Sequence, residues 1–233
     1  MKMIRCYDDF VDELLKSGFS MAGGSADGIY AIIDWGWNEQ PPYDTPIAWH
    51  TEDSETDPWV WRMRVLEERS DTAYAKLFFK KSGFITRDWY QYFLAVRRGG
   101  MTFDEAYDDG TISHNAKRIY DVVDEFGTMP LHGIKQMSGF TKEDKSGFDR
   151  AITELQMRMY LTMCGRQQKL SQKGLEYGWS STVFCKTEDF FGEAVFEEAS
   201  KIPPDEAHEI IKEQILRLNP AAQTRRIDKF ISG

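Results

Sequence analysis

Two carboxylates, Asp34 and Asp57, flank a segment dense in tryptophan, tyrosine and arginine. Carboxylates can act as general acids or bases, so these two are the candidate catalytic residues, although any Asp shares the property. Trp59, Trp61, Arg62, Trp89, Arg97 and Arg98 form a candidate cleft, with indoles to stack on bases and guanidinium groups to hold phosphates. A plainer reading places the tryptophans in the core, where they are usually buried, and assigns Arg97 and Arg98 to helix-end carbonyls. Further along, Arg150, Arg158, Arg166, Gln168, Lys169 and Lys173 are candidate nucleic-acid contacts on a helix and a hairpin turn. Cys6, Cys164 and Cys185 and the four histidines show no metal-ligand spacing, and free buried thiols are expected. There is no GxGxxG, phosphate-loop, HExxH or GxSxG signature, so neither cofactor nor metal is expected.

The elements that must position these groups centre on Ala116–Cys185. Ile119, Val122, Val123 and Phe126 predict an amphipathic helix ending at Gly127, and Pro130 opens a second, short helix. Phe148, Ile152 and Leu155 form the inward stripe of a third helix, leaving Asp149, Arg150 and Arg158 outward or along its edges. A β-rich hairpin follows. Together these spell a winged helix-turn-helix, in which the third helix would be offered to a DNA groove and the hairpin turn to phosphates. The same pattern also serves as a docking or scaffold module.

Upstream, Phe10, Val11, Leu14 and Leu15 make one face of a helix over Tyr7–Ser17. Glycines make GFSMAGGSADG a flexible loop, the apolar run IYAIIDWGW reads as a short buried strand, and residues 38–57, rich in proline and acid, read as a surface loop. Trp59 and Trp61 alternate with Val60 and Arg62, a strand-like pattern with both indoles on one face. Tyr74–Phe79 and GFI suggest further strands, and Thr86 caps a helix carrying Trp89, Phe93 and Val96 on one side. Downstream, Thr187 caps one helix, Asp205–Leu218 forms another, and TRRIDKFISG a last short one, as a helical cover on the winged helix.

Composition bounds the function. The 233 residues are 41% hydrophobic and 14% aromatic, enough for a real core in one large or two small domains. The net charge of −9 argues against nucleic acid until its distribution is seen. Residues 1–58 hold three basic and twelve acidic residues, which leaves the remainder neutral. Trp59–Gly100 carries nine basic against four acidic residues, and Ala116–Cys185 ten against eight. A locally basic side is compatible with a phosphate backbone. No apolar run is long enough to span a membrane, and the N-terminus lacks a signal peptide's apolar region, so a cytoplasmic protein is expected.

Over Tyr74–Arg98 and Ala116–Leu161 the chain resembles the AlkZ/YcaQ type of winged-helix DNA glycosylases. Over nearly its whole length it is similar to a group of bacterial AlkZ-related proteins, through DPWVWR (Asp57–Arg62), KSGFITRDWYQYFLAVRR (Lys81–Arg98), ELQMRMYL (Glu154–Leu161) and KGLEYGWS (Lys173–Ser180). These motifs carry no known chemistry. The glycosylase resemblance implies tandem winged helices around a DNA channel and metal-free excision of damaged bases, using a Gln-x-Gln or Gln-x-Asp motif. GGSADGIYAIIDWGWNEQ contains no such motif, since Gln40 is followed by two prolines, and no catalytic residue carries across.

The expected fold is α+β and mostly helical. An aromatic-rich N-terminal region, a possible degenerate winged helix, spans residues 1–113. A winged-helix domain spans 114–233, with its motif at 116–185 and C-terminal helices as cover. The leading functional expectation is a nucleic-acid-binding protein related to repair glycosylases, with double-stranded DNA as partner. Behind it stands a scaffold or small-ligand protein whose acidic N-terminal segment covers the aromatic cleft. Last comes a diverged glycosylase using Asp34 or Asp57 with a base pocket built from the 59–98 aromatics.

Overall fold

The first apolar stripe, Phe10, Val11 and Leu14, folds as the helix Tyr7–Ser17 (α1), which closes on Gly18 at φ 84°. Only glycine fits there, because a Cβ would lie 2.0 Å from the Trp89 indole. Strand Phe19–Met21 (β1) follows where the glycines predict a flexible loop. The strand expected at IYAIIDWGW is reduced to a single bridge between Met21 and Ala31. Ile29, Ile32, Ile33 and Trp35 are nonetheless buried, so the apolar run reports core burial and not sheet pairing. The computed structural model describes residues 3–141, 143–170 and 175–233.

Helix Pro58–Glu68 (α2) replaces the strand expected around the two tryptophans. Asp57 at the N-cap and Pro58 in the first turn are start signals that outweigh a four-residue alternation. Residues two apart on a helix point about 200° apart. Trp61 is accordingly 1% exposed in the core, while Trp59 is 49% exposed. Strands Thr72–Phe78 (β2) and Lys81–Thr86 (β3) form an antiparallel hairpin around Phe79 and Lys80. Both turn residues have positive φ, 51° and 63°, as a two-residue turn matched to strand twist requires. Helix Arg87–Arg98 (α3) starts at Thr86, whose hydroxyl donates to the Gly18 carbonyl instead of capping. Helix Phe103–Asp108 (α4) is absent from the sequence expectation, although its Thr102–Glu105 capping box is legible as TFDE.

Next come helix His114–Phe126 (α5), the two-residue strand Met129–Pro130 (β4), and helices Leu131–Met137 (α6) and Lys145–Met157 (α7). Strands Leu161–Leu170 (β5) and Glu176–Lys186 (β6) complete this run. Pro130 ends a strand and precedes α6, and Phe126, expected inward, is exposed. One helix expected after the hairpin is two, Thr187–Phe191 (α8) and Glu193–Ala199 (α9), broken by Gly192 at φ 79°. Thr187 is the first residue of α8, and Lys186 holds the cap position. Helices Pro204–Leu218 (α10) and Thr224–Ser232 (α11) finish the chain, and about half of the residues are helical.

The strands form one antiparallel sheet in the order β1-β3-β2-β5-β6-β4. Its two halves meet at the Tyr74–Met163 pair. Period-two alternation sends Ala73, Ala75 and Leu77 to one face and Tyr74 to the other. On Tyr74's face, α1, α2, α5, α6 and α7 enclose a core containing Phe10, Trp61, Ile119 and Leu155. On the opposite face, α3, α9, α10 and α11 enclose Phe19, Phe93, Ile211 and Phe230. The C-terminal helices therefore cover α3 and β1–β3, and not α5–α7 as the sequence suggested. No helix among the described residues is long and apolar enough to cross a membrane.

Candidate nucleic-acid interface

The segment from α5 to β6 runs helix, strand, helix, helix, strand, strand, and β4 returns to pair with β6 through Met129–Phe184 and Pro130–Val183. The first half of α7 exposes Lys145, Ser146, Asp149 and Arg150, while Ile152 and Leu155 face the core. Its second half is held against the sheet. Gln156, buried, accepts the Lys76 N–H at 2.9 Å and donates to the Ile152 carbonyl at 2.8 Å. This satisfies a β2 amide beyond the point where β2 pairs with β5.

The candidate contacts divide between hairpin and helix. Arg166 is exposed and pairs with Glu67 at 3.0 Å. The Gln168 amide is engaged within the hairpin, donating to the Gly178 carbonyl and accepting from the Ser180 hydroxyl at 2.8 and 2.7 Å. Lys169 is half-buried opposite Tyr177 in the ladder, and Lys173 lies outside the described residues.

Arg150 and Arg158 instead line a cavity of about 570 Å³ between α7, β2 and the end of α11. Lys76, Lys80 and Arg97 join them there, against the carboxylates of Asp149 and Glu154. Among the described residues none of these five cations has a carboxylate within ion-pair distance. Glu154 is engaged elsewhere, accepting from the Ser113 amide and hydroxyl at 2.8 and 2.7 Å. Arg97 donates to the carbonyls of Leu77, Met157, Phe230 and Ile231 at 2.8–2.9 Å, tying β2, α7 and α11 together. Burial pushes its guanidinium down to about 10, so it stays charged at neutral pH. Sequence reasoning misses Lys76 and Lys80. The available signals were the alternation that puts Lys76 on the Tyr74 face, under α7, and the two-residue turn that places Lys80 at a hairpin tip.

The six residues expected to share a cleft are dispersed. Trp61 packs on Phe10 at 5.1 Å, in the core on the Tyr74 face. Trp89 packs on Phe19 at 5.4 Å, against the opposite core. Trp59 is at the surface, with the Arg62 guanidinium 3.2 Å from its ring centroid and His50 at 5.0 Å. Arg98 is buried and donates to Glu188 Oε1 at 2.8 Å, with its guanidinium 4.1 Å from the Tyr160 ring. That pair lines a smaller cavity of about 210 Å³. Arg97 alone of the six reaches the larger one. The structure places these six residues in separate packing environments.

The candidate carboxylates do not converge either. Asp57 is buried, and its oxygens accept the N–H groups of His50, Thr51, Glu52 and Trp59 at 2.8–3.1 Å. That is the work of a cap and loop clamp, and it holds His50 and Glu52 at positive φ. Asp34 is exposed in a loop beside buried Trp35. Among the described residues no three His, Cys, Asp or Glu side chains are placed to share a metal ion.

The AlkZ-related family model matches residues 4–232, essentially from α1 to the end of α11. The chain belongs to the AlkZ-related family. No curated protein and no solved structure matches it. For this AlkZ-related chain the match spans both faces of the sheet, so family membership describes the whole layered unit and not the α5–β6 segment alone.

Proposed function

We propose that this AlkZ-related chain is a winged-helix nucleic-acid-binding protein connected with DNA repair, and that it contacts double-stranded DNA through α7 and the β5–β6 hairpin. The observation that supports the reading is the element order of α5 to β6, with β4 closing onto β6 and the first half of α7 left open to solvent. In a helix-turn-helix the comparable helix enters the major groove and the flanking structure meets phosphates. Arg150 on α7 and Arg166 and Lys169 on the hairpin supply the cations, and family membership supports the link to DNA. The proposed division at residues 113 and 114 keeps this run in one unit. No residue is assigned to base excision.

The test is fluorescence anisotropy of the full chain with a labelled duplex across salt concentration. Binding should weaken steeply as salt rises, because each neutralised phosphate releases counterions. Arg166→Glu with Lys169→Glu should lower affinity at least tenfold and flatten the salt dependence. Duplex binding that ignores both salt and these substitutions, or no binding at low salt, would sink the reading.

A further inference from the structure

We propose that the cavity between α7, β2 and α11 is a binding site for a phosphate-bearing ligand of nucleotide size. Five cations line it: Lys76, Lys80, Arg97, Arg150 and Arg158. Asp149 and Glu154 oppose them, and Glu154 is already held by Ser113. Among these side chains the positive charges outnumber the negative by three. Like charges gathered in a concave site repel one another, and the concavity focuses their field outward, so an anion there relieves a cost the empty fold carries.

Chemistry selects the anion. The Arg150 and Arg158 forks suit phosphate oxygens in pairs, lysine adds a mobile point charge, and Arg97, its N–H groups given to backbone carbonyls, adds charge alone. The Thr153 hydroxyl, 3.5 Å from Lys76 Nζ, adds a further polar group. A volume of about 570 Å³ exceeds the needs of an isolated anion and falls in the range of small-molecule sites, roughly 300–1,000 Å³. The exposed Asp149 carboxylate offers an acceptor for a hydroxyl, and Met157 an apolar surface. Lys80 reaches the rim from the two-residue β2–β3 turn, whose geometry fixes the left-handed φ of both Phe79 and Lys80. Phe79 is held in place by Phe230, at 5.9 Å, and by the Arg226 guanidinium, 4.8 Å from its ring.

The phosphate has two possible sources, a free nucleotide or the backbone of a bound strand, and the inference requires neither the hairpin nor groove binding. The experiment titrates the full chain with sodium pyrophosphate, ADP and a labelled duplex, and compares the double variant Lys80→Gly, Arg158→Gln, which leaves the proposed groove contacts Arg150, Arg166 and Lys169 in place. Glycine suits the left-handed turn, so this variant should fold, which circular dichroism and thermal melting check. Pyrophosphate or ADP binding that raises the melting temperature of the parent, and is at least tenfold weaker in the variant, supports a free ligand. Silence from both small probes, with duplex affinity at least tenfold lower in the variant, supports a strand phosphate. Binding of every probe unchanged by the substitutions, or no binding of any, overturns the site. The hairpin variant Arg166→Glu, Lys169→Glu, run in parallel, separates failure of this site from failure of the groove-binding reading.

Discussion

Gln156 Oε1 accepts the backbone N–H of Lys76 at 2.9 Å, joining α7 to a strand eighty positions away in the chain. The amide is buried, and its nitrogen is satisfied by the Ile152 carbonyl. Leucine at this position fills similar volume but leaves the Lys76 N–H without a partner in a dry site. Gln156→Leu should therefore cost about 1–3 kcal/mol, the penalty of an unsatisfied buried donor. Urea denaturation would show it as a lower midpoint at unchanged slope. An unchanged midpoint would mean that water reaches Lys76 and the contact adds nothing.

Asp57 offers a second test, because its carboxylate has a structural role at the start of α2. Four backbone N–H groups converge on its carboxylate, three from the loop at His50–Glu52 and one from the first turn of α2. Asp57→Ala should lower stability by about 3 kcal/mol, since it removes an N-cap and leaves further donors unpaired. Asp57→Asn, retaining one acceptor oxygen, should fall between. Chymotrypsin should also cut the alanine variant faster at Trp49, which hydrogen-bonds the Trp35 carbonyl across the same loop. Parent-like melting and parent-like cleavage together would return Asp57 to the list of catalytic candidates.

Local periodicity carried much of this fold into the sequence. The stripes of α1, α5 and α7 and the long hairpin are legible because each is settled by neighbours within a few residues. Trp59 and Trp61 misled because four alternating residues fit a strand as well as one turn of helix, and the deciding signals, Asp57 and Pro58, lie just before them. The Tyr74–Met163 pairing that makes one sheet from two hairpins leaves no local trace. The cavity was half visible. Arg150 and Arg158 stand out by charge on a helix, whereas Lys76, Lys80 and Arg97 reach it from strand β2, the turn after it and a different helix. Convergence of that kind is a property of tertiary packing.

Gly18 shows how a residue that looks merely permissive constrains two elements. It closes α1 at φ 84°, and the Trp89 indole of α3 occupies the space a side chain needs. Gly18→Ala incurs both left-handed strain and a steric clash with an aromatic ring, for a combined loss of about 2–4 kcal/mol. Trp89→Leu in the same background should recover part of it, because the smaller side chain removes the clash and leaves only the strain. Thermal melting of the two single variants and the double variant reads this coupling directly. Strict additivity would show that the indole is not the obstacle.

Cys164 and Cys185 meet across the β5–β6 ladder, Cys164 at the register shift between Met163 and Gly165 and Cys185 opposite Thr162. The neighbouring Cys185 thiol, a potential donor to a Cys164 thiolate, holds the Cys164 thiol below its ordinary value against the opposing effect of burial. The same contact, with burial, pushes Cys185 well above the usual thiol range. Alkylation requires the thiolate, so as pH rises Cys164 should react first and Cys185 should stay protected in the folded protein. Replacing Cys185 by Ala removes the donor, and the midpoint of the Cys164 pH–rate profile should then move upward, slowing its modification at a fixed mildly alkaline pH. Cys185→Ser keeps a donor and should restore much of the rate. Mass spectrometry of iodoacetamide-treated protein across pH follows each site separately. Earlier modification of Cys185, or a Cys164 midpoint indifferent to Cys185→Ala, would show that the two thiols do not share the bond.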